Sequence, residues 1–192
     1  MPDQKEVYIV GGPNGAGKTT FVKQFLPNYI NVRNFVNADD IAGGLSPFDS
    51  SSMNITSGKL MLELIDKYKN KSESFGFEST LAGKKWMRMI MELKEAGYLT
   101  YIFFLDLVSV ELAVSRVKYR VESGGHDIPE QTIRRRYLRS RRNFWYNYKD
   151  IVHRWYLFDN SSKTPELIAG NMQNELKVLS LKYFDFYKKS IG

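Results

Sequence analysis

The chain has no cysteine. That absence removes disulfides, thiolate zinc sites and a cysteine nucleophile together. Histidine is scarce as well: His126 and His153 are the only two, far apart in sequence, which argues against a metal site built on them. No apolar run approaches the ~20 residues needed to span a bilayer, and the N-terminal Met-Pro-Asp-Gln-Lys carries no apolar signal core. A cytoplasmic location without membrane association is therefore expected. Internal repeats and low-complexity tracts are absent too. What remains is a chain of 192 residues, 43% hydrophobic and 26% charged, a balance that excludes disorder and points to one globular domain over residues 1–192.

Against this background one stretch stands out, VYIVGGPNGAGKTTF from Val7 to Phe21. It fits G-x-x-x-x-G-K-[ST], with Gly12, Gly17, Lys18 and Thr19 at the fixed positions. Such a loop wraps a polyphosphate, because glycines let backbone N–H groups point inward with no Cβ in the way. Lys18 is placed to reach the β- and γ-phosphates and the Thr19 hydroxyl to sit on Mg²⁺. The residues expected to hold the nucleotide are Gly12, Pro13, Asn14, Gly15, Ala16, Gly17, Lys18, Thr19 and Thr20. The flanks agree: Val7–Val10 reads as a buried strand, and Thr19 to Leu26 as a helix stopped by Pro27. A nucleoside triphosphate with Mg²⁺ is the implied ligand.

Further along, strands are expected at Arg33–Ala38, Ser74–Phe77, Leu99–Leu105 and Trp155–Phe158. Helices are expected at Ile55–Lys69, Lys84–Ala96 and Val110–Val121, and from Pro129 or Glu130 onward. Gly43-Gly44 and Ser46-Pro47 mark loop, and residues 123–127 a turn or hinge. Thr164-Pro165 reads as an N-cap and first helical position, opening a C-terminal amphipathic helix. Alternating strand and helix predicts a parallel sheet covered on both faces, with ligands outside the carboxyl ends of the strands. The loop at Gly12, Asp39-Asp40 and Glu78 should therefore meet in one crevice.

Of Asp39 and Asp40, adjacent at an expected strand end, only one can face the loop. That carboxylate can accept the proton of an attacking hydroxyl or hold water around Mg²⁺. Glu78 can hydrogen-bond an acceptor or cap a turn, and Asp106 resembles the acid of a Walker B strand or is simply a buried aspartate. The net charge of +7 is concentrated: between Arg116 and Arg142 nine Lys/Arg face three Asp/Glu. Arg116 and Arg120 share a helix face, and Arg134-Arg135-Arg136 follow the glycine hinge. Arginines flanking a mobile segment suit a lid that neutralises charge during phosphoryl transfer. The spacing sets Arg134 and Arg141 on one side of their helix and Arg135, Arg139 and Arg142 on another, with the latter expected to face solvent or ion pairs.

In combination these residues resemble the zeta-toxin family of P-loop small-molecule kinases, within the nucleoside-monophosphate-kinase-like fold. The matching stretches are GGPNGAGKTT (Gly11–Thr20), NADDIA (Asn37–Ala42), FESTLAG (Phe77–Gly83), Ser109 through RVKYRVESGGHDIPEQTIRRRYLRS to Ser140, and DNS (Asp159–Ser161). The resemblance implies a three-layer α/β fold with a central parallel sheet and a helical lid over about residues 116–142. It implies phosphorylation of a hydroxyl by ATP or GTP, on a nucleotide sugar such as UDP-N-acetylglucosamine. By motif, Asp39 falls in the base position, Glu78 with Thr80 in the acceptor-binding position, and Arg120 and Arg134 at the two lid arginines, with Arg116 and Arg135 open by register. Lys59 departs from the pattern, since similar proteins often carry an arginine there. An antitoxin protein is a possible partner. Two other functions compete. One is a nucleic-acid-end kinase or RNA-binding ATPase using the basic stretch, less favoured because the aromatics there serve equally as core. The other is a nucleotide-dependent switch without turnover.

Overall fold

The computed structural model describes residues 4–192 apart from 31, 47–49, 126 and 173–174. Pro47 and His126, read above as loop and turn positions, lie outside the described residues, as do residues 1–3.

Val7 to Val10 are all buried in β1 (Glu6–Gly11), because strand alternation sends Val7 and Ile9 into one core and Tyr8 and Val10 into the other. A strand apolar on both faces belongs in mid-sheet. It lies there, between β3 (Phe75–Ser79) and β4 (Leu99–Asp106), parallel to both. Outside these run β2 (Phe35–Val36) and β5 (Arg154–Asp159), also parallel. The sheet is completed by β6 (Glu166–Met172) and β7 (Glu175–Val178), both antiparallel additions, in the order β2-β3-β1-β4-β5-β6-β7.

Helices cover both faces. On one side lie α3 (Asn54–Asn70), α4 (Lys85–Glu95) and α7 (Leu181–Ile191), packing Met61, Ile65, Trp86, Ile90, Phe184 and Tyr187 against the sheet. On the other lie α1 (Lys18–Gln24), α5 (Val110–Glu122) and α6 (Glu130–Asn143), through Phe21, Val114, Val117, Ile133 and Tyr137. A π-helical turn at Phe144–Tyr148 ends α6 and swings Phe144, Trp145 and Tyr148 into the first core, where Phe144 stacks on Phe104 at 4.2 Å. The result is the expected three-layer α/β fold. No helix among the described residues is long and apolar enough to cross a membrane.

Two expectations fail locally. The strand expected over 33–38 is only Phe35–Val36, and α2 (Ala38–Leu45) begins at once. Asn37 caps it, its Oδ1 accepting from the Asp39 N–H at 2.8 Å, and two acids in the first turn complement the helix dipole. Gly43-Gly44 occupy the end of this short helix, where their low propensity does least harm. The second failure is the helix expected from Thr164-Pro165. Glu166 instead opens β6, since proline suits the residue before a strand as well as a first helical turn. A Cβ on Gly170 would stand 2.9 Å from the Trp155 carbonyl, so the chain there is shaped for close approach to β5. The C-terminal helix forms only at Leu181.

Candidate active site

The phosphate loop leaves the end of β1 and enters α1. Gly12 holds φ 145°, and a Cβ there would lie 2.3 Å from the Leu105 carbonyl oxygen. Gly17 holds φ 77°, with Asn160 Nδ2 only 2.7 Å from its would-be Cβ. That asparagine latches the loop: its Nδ2 donates to the Ala16 carbonyl at 2.7 Å. Arg116 in turn donates to the carbonyls of Asn160 (2.7 Å) and Ser161 (2.8 Å). Arg116, a possible lid arginine by register, is therefore a buttress for the segment that braces the loop. Asn160 was visible in sequence only as part of the DNS motif.

From Pro13 to Ala16 the loop is buried or half-buried, whereas Thr20 is exposed on α1. Lys18 Nζ donates to the Pro13 carbonyl at 3.1 Å. Burial pushes its ammonium pKa down, Glu78 and Asp39 oppose that shift, and Arg120 and Arg136 add to it. The cleft beyond the loop holds about 710 Å³, and Lys18, Asp39, Glu78 and Thr80 all line it. Of the groups that act on Lys18, Asp39, Glu78 and Arg136 line the cleft with it, whereas Arg120 is not among the lining residues.

Glu78 is tied to the loop, accepting from the Thr19 hydroxyl at 2.8 Å while Asn37 Nδ2 stands 3.5 Å from the same hydroxyl. Its other oxygen is buried without a hydrogen-bond partner. Burial raises the Glu78 pKa, with Lys18 and the Thr19 bond working against the rise. Sequence reasoning expected a residue presented to an acceptor; the carboxylate also belongs to the loop. Asp39 and Asp40 sit in the first turn of α2, not at a strand end. The helical turn, not strand alternation, separates them: Asp39 lines the cleft and Asp40 does not.

The basic stretch divides differently from its expected faces. Arg135, Arg136 and Arg139 line the cleft. Arg134, expected as a lid arginine, is held away from it by Glu130 (2.9 Å) and Glu111 (3.1 Å). Arg141 is buried against Asp106, with Nη2 donating to Oδ2 at 3.1 Å and Nε 2.8 Å from Oδ1 but off the hydrogen-bonding line. Burial pushes the Asp106 carboxyl up to about 6 despite that partner. The Walker-B-like aspartate is thus half of a core ion pair. Arg142 donates to the carbonyls of Ile191 and Gly192. Ile133, Tyr137, Arg141 and Phe144 recur at helical spacing, a signal that could have placed Arg141 inward. Lys59 is exposed on α3, while its neighbour Gly58 lines the cleft.

A central strand running through a glycine-rich loop and Lys18-Thr19 into a helix, beside parallel neighbours, defines a P-loop nucleotide-binding fold. The zeta toxin family model matches residues 1–165, and the chain belongs to that family. An uncharacterized protein of Haemophilus influenzae is 30% identical over 134 residues, covering 70% of this chain and 94% of the relative. Among solved structures, the AvrRxo1-ORF1:AvrRxo1-ORF2 complex with sulphate ions is similar at a TM-score of 0.78 and 16% identity. That match covers 98% of this chain but 64% of the other, so the chain spans under two thirds of that neighbour's length. The toxin–antitoxin system PezAT of Streptococcus pneumoniae is similar at a TM-score of 0.69 and 16% identity, over 97% of this chain and 78% of that one. At such identities these structures speak to the fold alone.

Proposed function

We propose that the chain transfers the γ-phosphoryl group of ATP or GTP to a hydroxyl of a small molecule, a nucleotide sugar such as UDP-N-acetylglucosamine. The observation that carries this reading is the Asp39 carboxylate lining the same cleft as Lys18 and Glu78. In this mechanism Asp39 accepts the proton of the acceptor hydroxyl. The acceptor oxygen bonds to the γ-phosphorus as the bond to the β–γ bridging oxygen breaks, and the nucleoside diphosphate leaves. Lys18 and the loop hold the β- and γ-phosphates. Arg120 and Arg136, whose charges both reach Lys18, meet the charge that develops in the transition state. Arg136 takes the role expected of Arg134.

The residues present suit Mg²⁺. Among the described residues no group of three or more His, Cys, Asp or Glu could hold a metal unaided. The Thr19 hydroxyl and the unpartnered Glu78 oxygen are hard donors of the kind that share Mg²⁺ with substrate phosphates. When bound, Mg²⁺ supplies charge neutralisation at the β- and γ-oxygens.

The whole chain acts as one kinase domain, in the cytoplasm. Of the lid expected over residues 116–142, the cleft-lining part over 127–139 excludes water, since Arg116 braces the loop segment and Arg141 lies in the core. Thr80 and Glu78 border the acceptor. A protein antitoxin is proposed as partner, because the PezAT neighbour comes from a toxin–antitoxin system. The test is a screen with radiolabelled ATP and Mg²⁺ over nucleotide sugars and oligonucleotides, the product identified by mass. Label on a nucleotide sugar supports the proposal. Label on oligonucleotide 5′ ends alone would replace it with the nucleic-acid-end kinase.

A further inference from the structure

One end of the sheet is left open. β2, at the far edge, has two residues and is too short to template a strand. β7 closes the other edge, and among the described residues nothing pairs with its outer side. Such edges are commonly blunted by charge. β7, Glu-Leu-Lys-Val, carries one acid and one base, so its charges cancel along the edge, and it is followed by further apolar residues. Leu176, Leu179 and Leu181 are 55%, 60% and 66% exposed, and Phe186 on α7 is 41% exposed. These residues lie beyond residue 165, where the family match ends.

The ladder fixes which backbone groups point outward. Leu179 donates its N–H to Ile168 at 2.7 Å, and Lys177 and Glu175 sit opposite Gly170 and Met172. In an antiparallel pair, alternate residues turn their N–H and C=O groups to the neighbour. Residues 179, 177 and 175 therefore face β6, and Leu176 and Val178 present theirs to the open side.

We infer that β7 pairs with β7 of a second copy, antiparallel, about a two-fold axis at Leu176. At that register the outward N–H and C=O of Leu176 bond to those of Leu176 in the second copy. Glu175 then stands opposite Lys177 of the second copy, and Lys177 opposite its Glu175. The strand is self-complementary in charge, as an isologous contact requires. Moving the axis by one residue sets Lys177 against its own copy, so like charges reject that register. Val178 packs into the same core as Phe184 and Tyr187 of α7, and alternation puts Leu176 on that face, so the two leucines meet beside the helix. No residue of β6, β7 or α7 lines the catalytic cleft, so pairing leaves transfer untouched.

Sedimentation velocity of the full chain over a range of micromolar concentrations tests this. A concentration-dependent dimer is expected. Lys177→Glu sets Glu175 against a second acid and should weaken the dimer about tenfold. The double exchange Glu175→Lys/Lys177→Glu restores the opposite charges and should bring the dimer back. Leu176→Pro removes an N–H that β6 does not use and should abolish dimerisation with the circular dichroism spectrum unchanged. A chain that stays monomeric throughout would overturn the inference and leave the edge to another protein's strand. So would a dimer indifferent to both Lys177→Glu and Leu176→Pro, since its interface would lie elsewhere.

Discussion

The Asn160 amide shows how much of a phosphate loop's shape is set outside the loop. Its bond to the Ala16 carbonyl joins positions 144 residues apart and is buried. In Asn160→Ala that carbonyl loses its partner, so stability should fall by about 1–3 kcal/mol in urea denaturation. The loop is loosened more than the chemistry is altered, so the apparent affinity for ATP should drop further than turnover. Equal losses in both would mean that Asn160 takes part in transfer itself. The glycines, Lys18 and Thr19 were legible in sequence because their spacing is local. The latch was not, since a contact across 144 positions leaves no periodic trace.

α6 is the element where sequence and structure part most usefully. Periodicity grouped Arg134 with Arg141, and Arg142 with Arg135 and Arg139, and the structure parts both groups. Ionic partners on other elements decided that: Glu111 draws Arg134 outward, and Asp106 takes Arg141 into the core. Arg136→Ala and Arg120→Ala should each lower kcat by roughly 10³-fold or more with modest effects on ATP binding, as expected of groups that meet charge in the transition state. Arg134→Ala should leave kcat within about twofold. A slow Arg134→Ala enzyme beside a normal Arg136→Ala one would show that the helix turns in the working complex. For the buried pair, Arg141→Ala should cost about 3–5 kcal/mol in thermal or denaturant unfolding, because it strands the Asp106 carboxylate without a countercharge. Replacing both partners with apolar residues should recover most of that loss. The C-terminal hairpin was misread for a related reason. Thr164-Pro165 is locally ambiguous, and only pairing with β5 decides it.

Across the whole molecule, the central parallel strands were readable from their apolar runs, and the antiparallel edge was not. The convergence of Gly12, Asp39 and Glu78 followed from a topological rule: groups at the carboxyl ends of parallel strands meet. It held even though Asp39 proved to be helical, because α2 starts immediately after β2. The proposal therefore rests on that crevice and on the Asp39 carboxylate within it. The direct measurement is single-turnover phosphoryl transfer by Asp39→Asn and Asp40→Asn, with Lys18→Ala as the loop control and the acceptor found in the screen. Asp39→Asn should bind ATP normally, by thermal shift, and lose transfer by roughly 10²–10⁴-fold at every Mg²⁺ concentration. Asp40→Asn should stay near wild type. Full transfer by Asp39→Asn, or a dead Asp40→Asn beside it, would contradict the assignment of the base.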